Sequence, residues 1–142
     1  MRKIIIVSLV LAFLAGSCKN QIGLSTLLSE INGQNWQVRS LNSQELDEEA
    51  YSNFKGLPEL TFNNEGVISG HSGCNGFRAN YRTYENQEIE IRPGAMTKMY
   101  CRGVDENGFI DAIKSTRNLK MDGENLLLVD SIGNEKMRLE KI

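Results

Sequence analysis

Four side chains have types that could support thiol chemistry: Cys18, Cys74, Cys101 and His71, the single histidine of the chain. A cysteine beside a histidine base can act as a nucleophile, and cysteines together with histidine can bind zinc. Two cysteines can instead form a disulfide, and a cysteine can carry a lipid. These chemistries need different spacings, so the positions of the four residues along the chain decide among them.

Cys18 follows a segment that is typical of protein export. Arg2 and Lys3 give a short basic start, and residues 4–14 are a largely apolar run without a charge. A membrane span needs about 20 apolar residues, so this run has the length of a signal-peptide core instead. The small residues 15–17 before Cys18 resemble the lipobox of bacterial lipoproteins. The pattern predicts that residues 1–17 are a signal peptide and that Cys18 carries acyl chains such as palmitate; an ordinary secretory peptide is the alternative.

Cys74 and Cys101 make an even pair for an exported domain. In an oxidising envelope such a pair favours a disulfide, and two buried, reduced thiols are the alternative. His71 lies three residues before Cys74, and side chains three apart in an extended segment point to opposite faces, which disfavours a catalytic pair. A zinc site would need a fourth ligand, for which the motif spacing is absent. We therefore expect neither a catalytic site nor a metal site.

Other polar motifs favour structural interpretations. The glycine-rich residues 70–76 lack the Gly-Lys-Ser/Thr of a phosphate-binding loop, so we expect a tight turn in which Asn75 binds nearby backbone. Glu88 and Glu90 alternate with isoleucines, which places them on a solvated strand face rather than in the apolar cleft of paired catalytic carboxylates. The acidic run 47–49 lacks the spacing of a calcium loop. These motifs predict no bound cofactor.

Length and charge restrict the class of protein. Removing residues 1–17 leaves a chain that fits one domain with its own core. The same cut removes Arg2 and Lys3, so the formal net charge falls by two, from −2 to −4. Lysines and arginines are scattered, and a mildly acidic domain has no basic stripe that follows phosphates. We expect no nucleic-acid partner.

Short alternating runs after residue 34 are typical of antiparallel strands joined by turns. The expected strands are residues 36–41, 60–62, 67–69, 77–84, 88–92, 118–121 and 126–129, and a last strand with Met137 and Leu139 on one face. Residues 63–66 and Asp122-Gly123 are expected as hairpin turns. Pro93-Gly94 is expected to end the strand before it, and residues 96–100 also have a strand-like pattern.

Two segments have helical periodicity. Apolar residues at positions 24, 27, 28 and 31 predict one short helix, for which a frayed linker is the alternative because isolated short helices are marginal in water. Residues 105–116 predict a second helix, capped by Asp105. Residues 44–56 are expected as a long surface loop or a poor helix. The pattern predicts a mainly β fold with a minor helical part: an antiparallel meander that closes into a small, partly open barrel with one helix inserted late.

A tryptophan, a tyrosine and two short motifs give the most specific signal. Residues 70–77 are GHSGCNGF and residues 96–101 are MTKMYC. Together they resemble the META domain, the family of the heat-shock-associated lipoprotein HslJ, whose signature pieces are Gly-Cys-Asn and Thr-x-x-x-Cys. The residues that match the family are Trp36, Gly73, Cys74, Asn75, Tyr81, Thr97 and Cys101. We interpret these residues as structural, with Trp36 as a core anchor rather than a ligand platform.

The resemblance covers residues 35–142 and implies a small barrel of lipocalin-type topology. Residues 18–34 would then be a lipidated tether that contains the possible short helix. The resemblance implies an association with envelope stress and drug tolerance, and no established catalytic activity. Gly76 departs from the family, which often has a long polar side chain there, so a function that used this side chain is not expected.

These observations lead to one expected function and one alternative. We expect a non-enzymatic lipoprotein of the cell envelope, anchored through Cys18, in the outer membrane facing the periplasm or at the cell surface. It would act as a stress-tolerance or interaction module whose partner, a protein or a small molecule, is undefined. The alternative is a barrel-type carrier of a small apolar ligand. A barrel filled by its own side chains would favour the interaction module, and an apolar cavity would favour the carrier.

Overall fold

The computed structural model describes residues 23–142, which contain three helices and nine strands. The helices are α1 (Leu24–Ile31), α2 (Glu48–Ser52) and α3 (Glu106–Ser115). The strands are β1 (Asn35–Leu41), β2 (Gln44–Glu45), β3 (Glu59–Phe62), β4 (Val67–His71), β5 (Gly76–Thr83), β6 (Ile89–Met96), β7 (Asn118–Asp122), β8 (Asn125–Val129) and β9 (Glu135–Lys141). The predicted signal peptide at residues 1–17 and the predicted lipid site at Cys18 lie outside the described residues.

The nine strands form one antiparallel sheet that curls into a half-barrel. The strand order is β6-β5-β4-β3-β1-β9-β8-β7, and the short β2 pairs with the end of β1. Where the two sheet edges approach, the N–H of Ile89 at the start of β6 donates to the carbonyl of Arg117, just before β7, at 2.8 Å. The predicted antiparallel, mainly β, partly open barrel is therefore confirmed.

Alternating strand directions place the connections at two ends of the half-barrel. What we term the α1 end carries the α1–β1 connection and the β3–β4, β5–β6 and β7–β8 turns. The motif end carries α2, the β4–β5 turn, the β6–α3 connection and the β8–β9 turn. β5 has eight residues, so the two ends are about 26 Å apart along this strand.

α1 closes the α1 end with apolar side chains. Leu24, Leu27 and Ile31 are buried and belong to the same core as the sheet residues. Trp36 is 2% exposed, and its indole N–H donates to the carbonyl of Ile31 at 3.4 Å, which satisfies a helix-end acceptor. The predicted short helix is present. The folded unit therefore begins before residue 35.

α3 packs against β6 and against the β1, β9 and β8 part of the sheet. It begins where predicted, because the Asp105 carboxylate accepts a hydrogen bond from the N–H of Gly108 at 2.9 Å. Phe109 and Ile113 are fully buried, and the Phe109 ring meets the Phe77 ring edge-on at 5.2 Å. The predicted late helix is confirmed.

Two strand predictions near β6 are wrong. β6 does not stop at Pro93-Gly94 but continues to Met96, with Pro93 opposite Ala79 on β5 and an irregular register between Ala79 and Phe77. Proline is tolerated here because β6 is an edge strand and needs few backbone donors on its outer side. Residues 97–100 are not a strand; the side-chain amide of Asn75 in the β4–β5 turn binds the backbone of Met99 instead.

Residues 44–56 are more structured than the prediction of a loop or poor helix. They contain β2 and the five-residue α2, whose first N–H groups are capped when the Asp47 carboxylate accepts from the N–H of Glu49 at 3.1 Å. Tyr51 on α2 is 2% exposed and anchors this segment to the motif end. Burial of one aromatic side chain thus orders a segment whose polar composition suggested a loop.

Candidate functional site

The β4–β5 turn, residues 72–75, forms the centre of the motif end. Gly73 has φ +88°, and a Cβ at this position would lie 2.3 Å from the ring of Tyr51, so only glycine fits. The Ser72 hydroxyl accepts a hydrogen bond from the N–H of Asn75 at 3.0 Å. Backbone conformation and side-chain packing therefore both require the glycine of the Gly-Cys-Asn motif.

Cys74 and Cys101 form a disulfide between this turn and the β6–α3 connection. Their Cα atoms are 5.8 Å apart, they are separated by 27 positions in the sequence, and both residues are buried. The bond joins β4–β5 to the segment that enters α3. The pair is thus oxidised and not two packed thiols, and Cys74 has no thiol proton for a base to remove.

Asn75 is fully buried and links three segments through its side-chain amide. Its Oδ1 accepts from the Thr97 hydroxyl at 2.9 Å and from the Met99 N–H at 2.7 Å. Its Nδ2 donates to the Met99 carbonyl at 3.0 Å and to the Glu106 carboxylate at 2.8 Å. The amide therefore replaces a strand partner for the irregular segment around Met99.

Glu106, like Ser72, belongs to this cluster but was not singled out from the sequence. It lies in the first turn of α3, where the helix dipole favours a carboxylate. It accepts from the Ser72 hydroxyl at 2.6 Å and from Asn75 Nδ2. An acidic residue next to the predicted cap Asp105 was the available signal. We name the set Ser72, Cys74, Asn75, Thr97, Cys101 and Glu106 the polar lock.

His71 lies beside the polar lock but does not face the Cys74 sulfur as a base. Its Nδ1 accepts from the N–H of Gly73 at 3.1 Å, and its Nε2 lies 3.7 Å from a carboxylate oxygen of Glu59. Burial lowers the pKa of His71, Glu59 acts in the opposite direction, and Lys55 lowers it further. Its visible role is to support the turn.

The remaining family residues and Gly76 have structural contacts. The Tyr81 hydroxyl donates to the Asn63 carbonyl at 2.8 Å, its ring meets Phe62 edge-on, and burial raises its pKa. The Gly76 N–H donates to the Thr97 hydroxyl at 3.0 Å. A Cβ at Gly76 would meet only Thr97 Oγ1, at 4.0 Å, so the backbone would accept the longer side chain that the family often carries.

The acidic motifs lie at the surface in ordinary contacts. Glu90 accepts from the Tyr84 hydroxyl and from Arg92, and Glu48 pairs with Arg39 at 2.7 Å. Asp47 caps α2. In residues 23–142, no three Cys, His, Asp or Glu side chains come together in a way that could hold a metal ion.

Exposed apolar side chains and two grooves mark the surface. Tyr100 is 89% exposed and Met99 is 55% exposed, both beside the polar lock. The two grooves, of about 700 and 850 Å³, are open to solvent and flank opposite ends of α1. None of the helices in the described part of the chain is long and apolar enough to cross a membrane.

Comparison with known proteins supports one family and one fold. The family model described as META domain matches residues 29–141. An NMR structure is similar with a TM-score of 0.58 and 20% identity, covering 80% of this chain and 92% of the other. A crystal structure of a DUF4847 family protein from Bacteroides vulgatus is similar with a TM-score of 0.58 and 13% identity, covering 80% of this chain and 96% of the other. The search of curated proteins gave no match.

Proposed function

The chain belongs to the META domain family, and from this premise we propose that it is a non-enzymatic module of the bacterial envelope, tethered through Cys18, that acts through its outer surface. The tether is supported by the export pattern of residues 1–17 and the cysteine that follows it. The role in stress tolerance is supported by the resemblance on which the family prediction was based.

The filled interior of the half-barrel carries the proposal. One continuous core joins α1, α3 and the inner faces of the sheet, and twelve of its large side chains are less than 2% exposed. Such packing fills the space that a lipocalin-type carrier would use for an apolar ligand. It favours an interaction module over the alternative of a small-ligand carrier.

The contacts of the family motif also favour a structural role for it. Within the polar lock, the side-chain hydrogen bonds of Ser72, Asn75 and Glu106 join the turn, the segment around Met99 and the start of α3. A reaction centre would instead need groups left free to bind a substrate. The neighbouring exposed side chain of Tyr100 is the more suitable element for partner contact, because exposed aromatic residues dominate many interfaces.

A complementation experiment tests this function. Cells that lack the gene are challenged with heat or envelope-active drugs, and receive wild type, Cys18→Ala, Tyr100→Ser or Ile132→Ser. Ile132 is 83% exposed and is the matched surface control for Tyr100. We expect wild type and Ile132→Ser to restore survival, and Cys18→Ala and Tyr100→Ser to fail at equal protein levels. Full rescue by both Cys18→Ala and Tyr100→Ser would contradict the proposal.

A further inference from the structure

The smaller groove, about 700 Å³, lies at the α1 end beside the first turn of α1. Its walls are α1, the β3–β4 turn and the end of β5 with the turn that follows. Its lining includes Leu24, Leu28, Ser29, Glu65, Arg82 and Tyr84. Apolar, hydroxyl and charged groups thus share one open surface, which is the mixture found where proteins meet the headgroup region of a bilayer.

The distance from Cys18 to this groove is limited by the chain. Six steps separate Cys18 from Leu24, so even a fully extended chain spans at most about 20–22 Å. Leu24 cannot easily move away from the barrel to lengthen the tether, because its side chain is buried and its N–H donates to the Gln87 side chain at 2.7 Å. If Cys18 carries the lipid, as proposed above, the groove remains close to the membrane.

The charged residues that line the groove are one cation and one anion. Arg82 and Glu65 both line it, and neither takes part in an ion pair within residues 23–142. One cation and one anion on the same surface complement a headgroup that carries a phosphate and an ammonium. An anionic headgroup would leave Glu65 facing a like charge.

We propose that this groove is the membrane-facing surface of the tethered protein and seats the headgroup of a zwitterionic phospholipid, with Arg82 toward the phosphate and Glu65 toward the ammonium. Tyr84, 48% exposed, lies at the rim, where an aromatic ring with a polar tip is favourable. The motif end, with Tyr100, then points away from the membrane. The inference rests on lipidation at Cys18.

Fluorescence quenching on vesicles tests the orientation. Lipidated protein carrying a fluorophore at Ser29→Cys, in the groove, or at Ile132→Cys, in the β8–β9 turn, is reconstituted with phosphatidylethanolamine and phosphatidylcholine that includes a headgroup nitroxide. Intact mass first verifies that Cys74 and Cys101 remain bonded. We expect severalfold stronger quenching at position 29 than at position 132. Equal quenching, or stronger quenching at 132, would overturn the orientation.

Two arginine variants test the headgroup contact. Arg82→Ser should weaken the quenching at position 29, whereas Arg78→Ser, exposed on the same strand outside the groove, should leave it unchanged. The same result for both variants would refute the headgroup seat. Flotation separates this failure from failure of the tether: a protein that does not float with the vesicles refutes the lipid anchor and the orientation together, while a protein that floats without position-dependent quenching refutes only the orientation.

Discussion

The α1 end and the motif end of the half-barrel are closed in different ways. At the α1 end, a helix places Leu24, Leu27 and Ile31 into the core, and hydrophobic burial supplies the stabilisation. At the motif end, a disulfide and the buried amide of Asn75 hold irregular backbone in place. An apolar closure tolerates many sequences of similar volume, whereas a polar closure requires particular atoms at particular positions. The difference explains why the short family motifs lie at only one end.

The largest effect is expected at the apolar end. Ile31→Ala should lower the free energy of unfolding by about 2–5 kcal/mol. Ile31 is 1% exposed, so removing most of its side chain leaves a cavity in the core. Leu28→Ala on the same helix is the control, since Leu28 is only partly buried, and should cost less than half as much. Denaturant unfolding of both variants gives the comparison. Equal losses of unfolding free energy in the two variants would mean that the buried face of α1 does not pack into the core.

Removing the covalent part of the motif end should have the next largest effect. The double variant Cys74→Ala/Cys101→Ala should have a free energy of unfolding about 3–4 kcal/mol lower than wild type, which is the chain-entropy value for a loop of 27 residues. Reductant should lower the melting temperature of wild type toward that of the double variant and leave the double variant unchanged. A reductant-insensitive wild type would contradict the structural role of the bond.

The polar part of the motif end is tested by Asn75→Ala. The change leaves the Glu106 carboxylate and the Met99 N–H without their buried partner, and should cost about 2–3 kcal/mol. Asn80→Ala, an exposed asparagine on β5, should stay within about 0.5 kcal/mol of wild type. Chemical denaturation measures both. Similar values for the two asparagines would show that the amide network contributes little.

The smallest effect concerns the β8–β9 turn, which is held by charge at the same end as the polar lock. Burial raises the pKa of Asp130, but hydrogen bonds from Asn134, Ile132 and Lys136 outweigh it and lower the pKa to about 2, from 3.8. As the pH falls, Asp130 therefore binds a proton in the unfolded chain before it does so in the folded chain. The stabilisation that its charge provides above pH 3.8 is lost as the pH falls toward 2.

Asp130→Asn removes this charge and retains an oxygen that can accept the N–H groups of Ile132 and Asn134. Its deficit in unfolding free energy relative to wild type should be largest near neutral pH and should vanish near pH 2. Denaturant unfolding at several pH values measures the two curves. Parallel curves over this range would show that the Asp130 charge does not stabilise the turn.

The α1 end was easier to predict from the sequence than the motif end. The spacing of Leu24, Leu27 and Ile31 gives the helix directly, because hydrophobic periodicity is a local signal. The disulfide could be expected from an even cysteine pair. The contacts of Asn75 with Met99 and Glu106 could not be expected from the sequence. They span 24 and 31 positions along the chain, and no periodic pattern connects the residues.

The errors near β6 have the same origin. Pro93 normally ends a strand, and the prediction failed because β6 lies at the sheet edge, a property of the whole topology rather than of the local sequence. Residues 97–100 look like a strand, but a side-chain amide takes the place of a neighbouring strand. At the motif end, long-range polar contacts override the conformation that the local sequence favours. At the α1 end, the buried positions agree with the local hydrophobic pattern.

One measurement tests the membrane tether and the disulfide together: the intact mass of protein extracted from the cell membrane and alkylated under denaturing conditions without reduction. We expect a chain of residues 18–142 with acyl chains on Cys18, no alkyl group, and two hydrogen atoms fewer than the reduced chain because Cys74 and Cys101 are bonded. Alkylation of Cys74 or Cys101 would contradict the disulfide closure of the motif end. A mass that retains residues 1–17, or that lacks lipid on Cys18, would contradict the membrane tether.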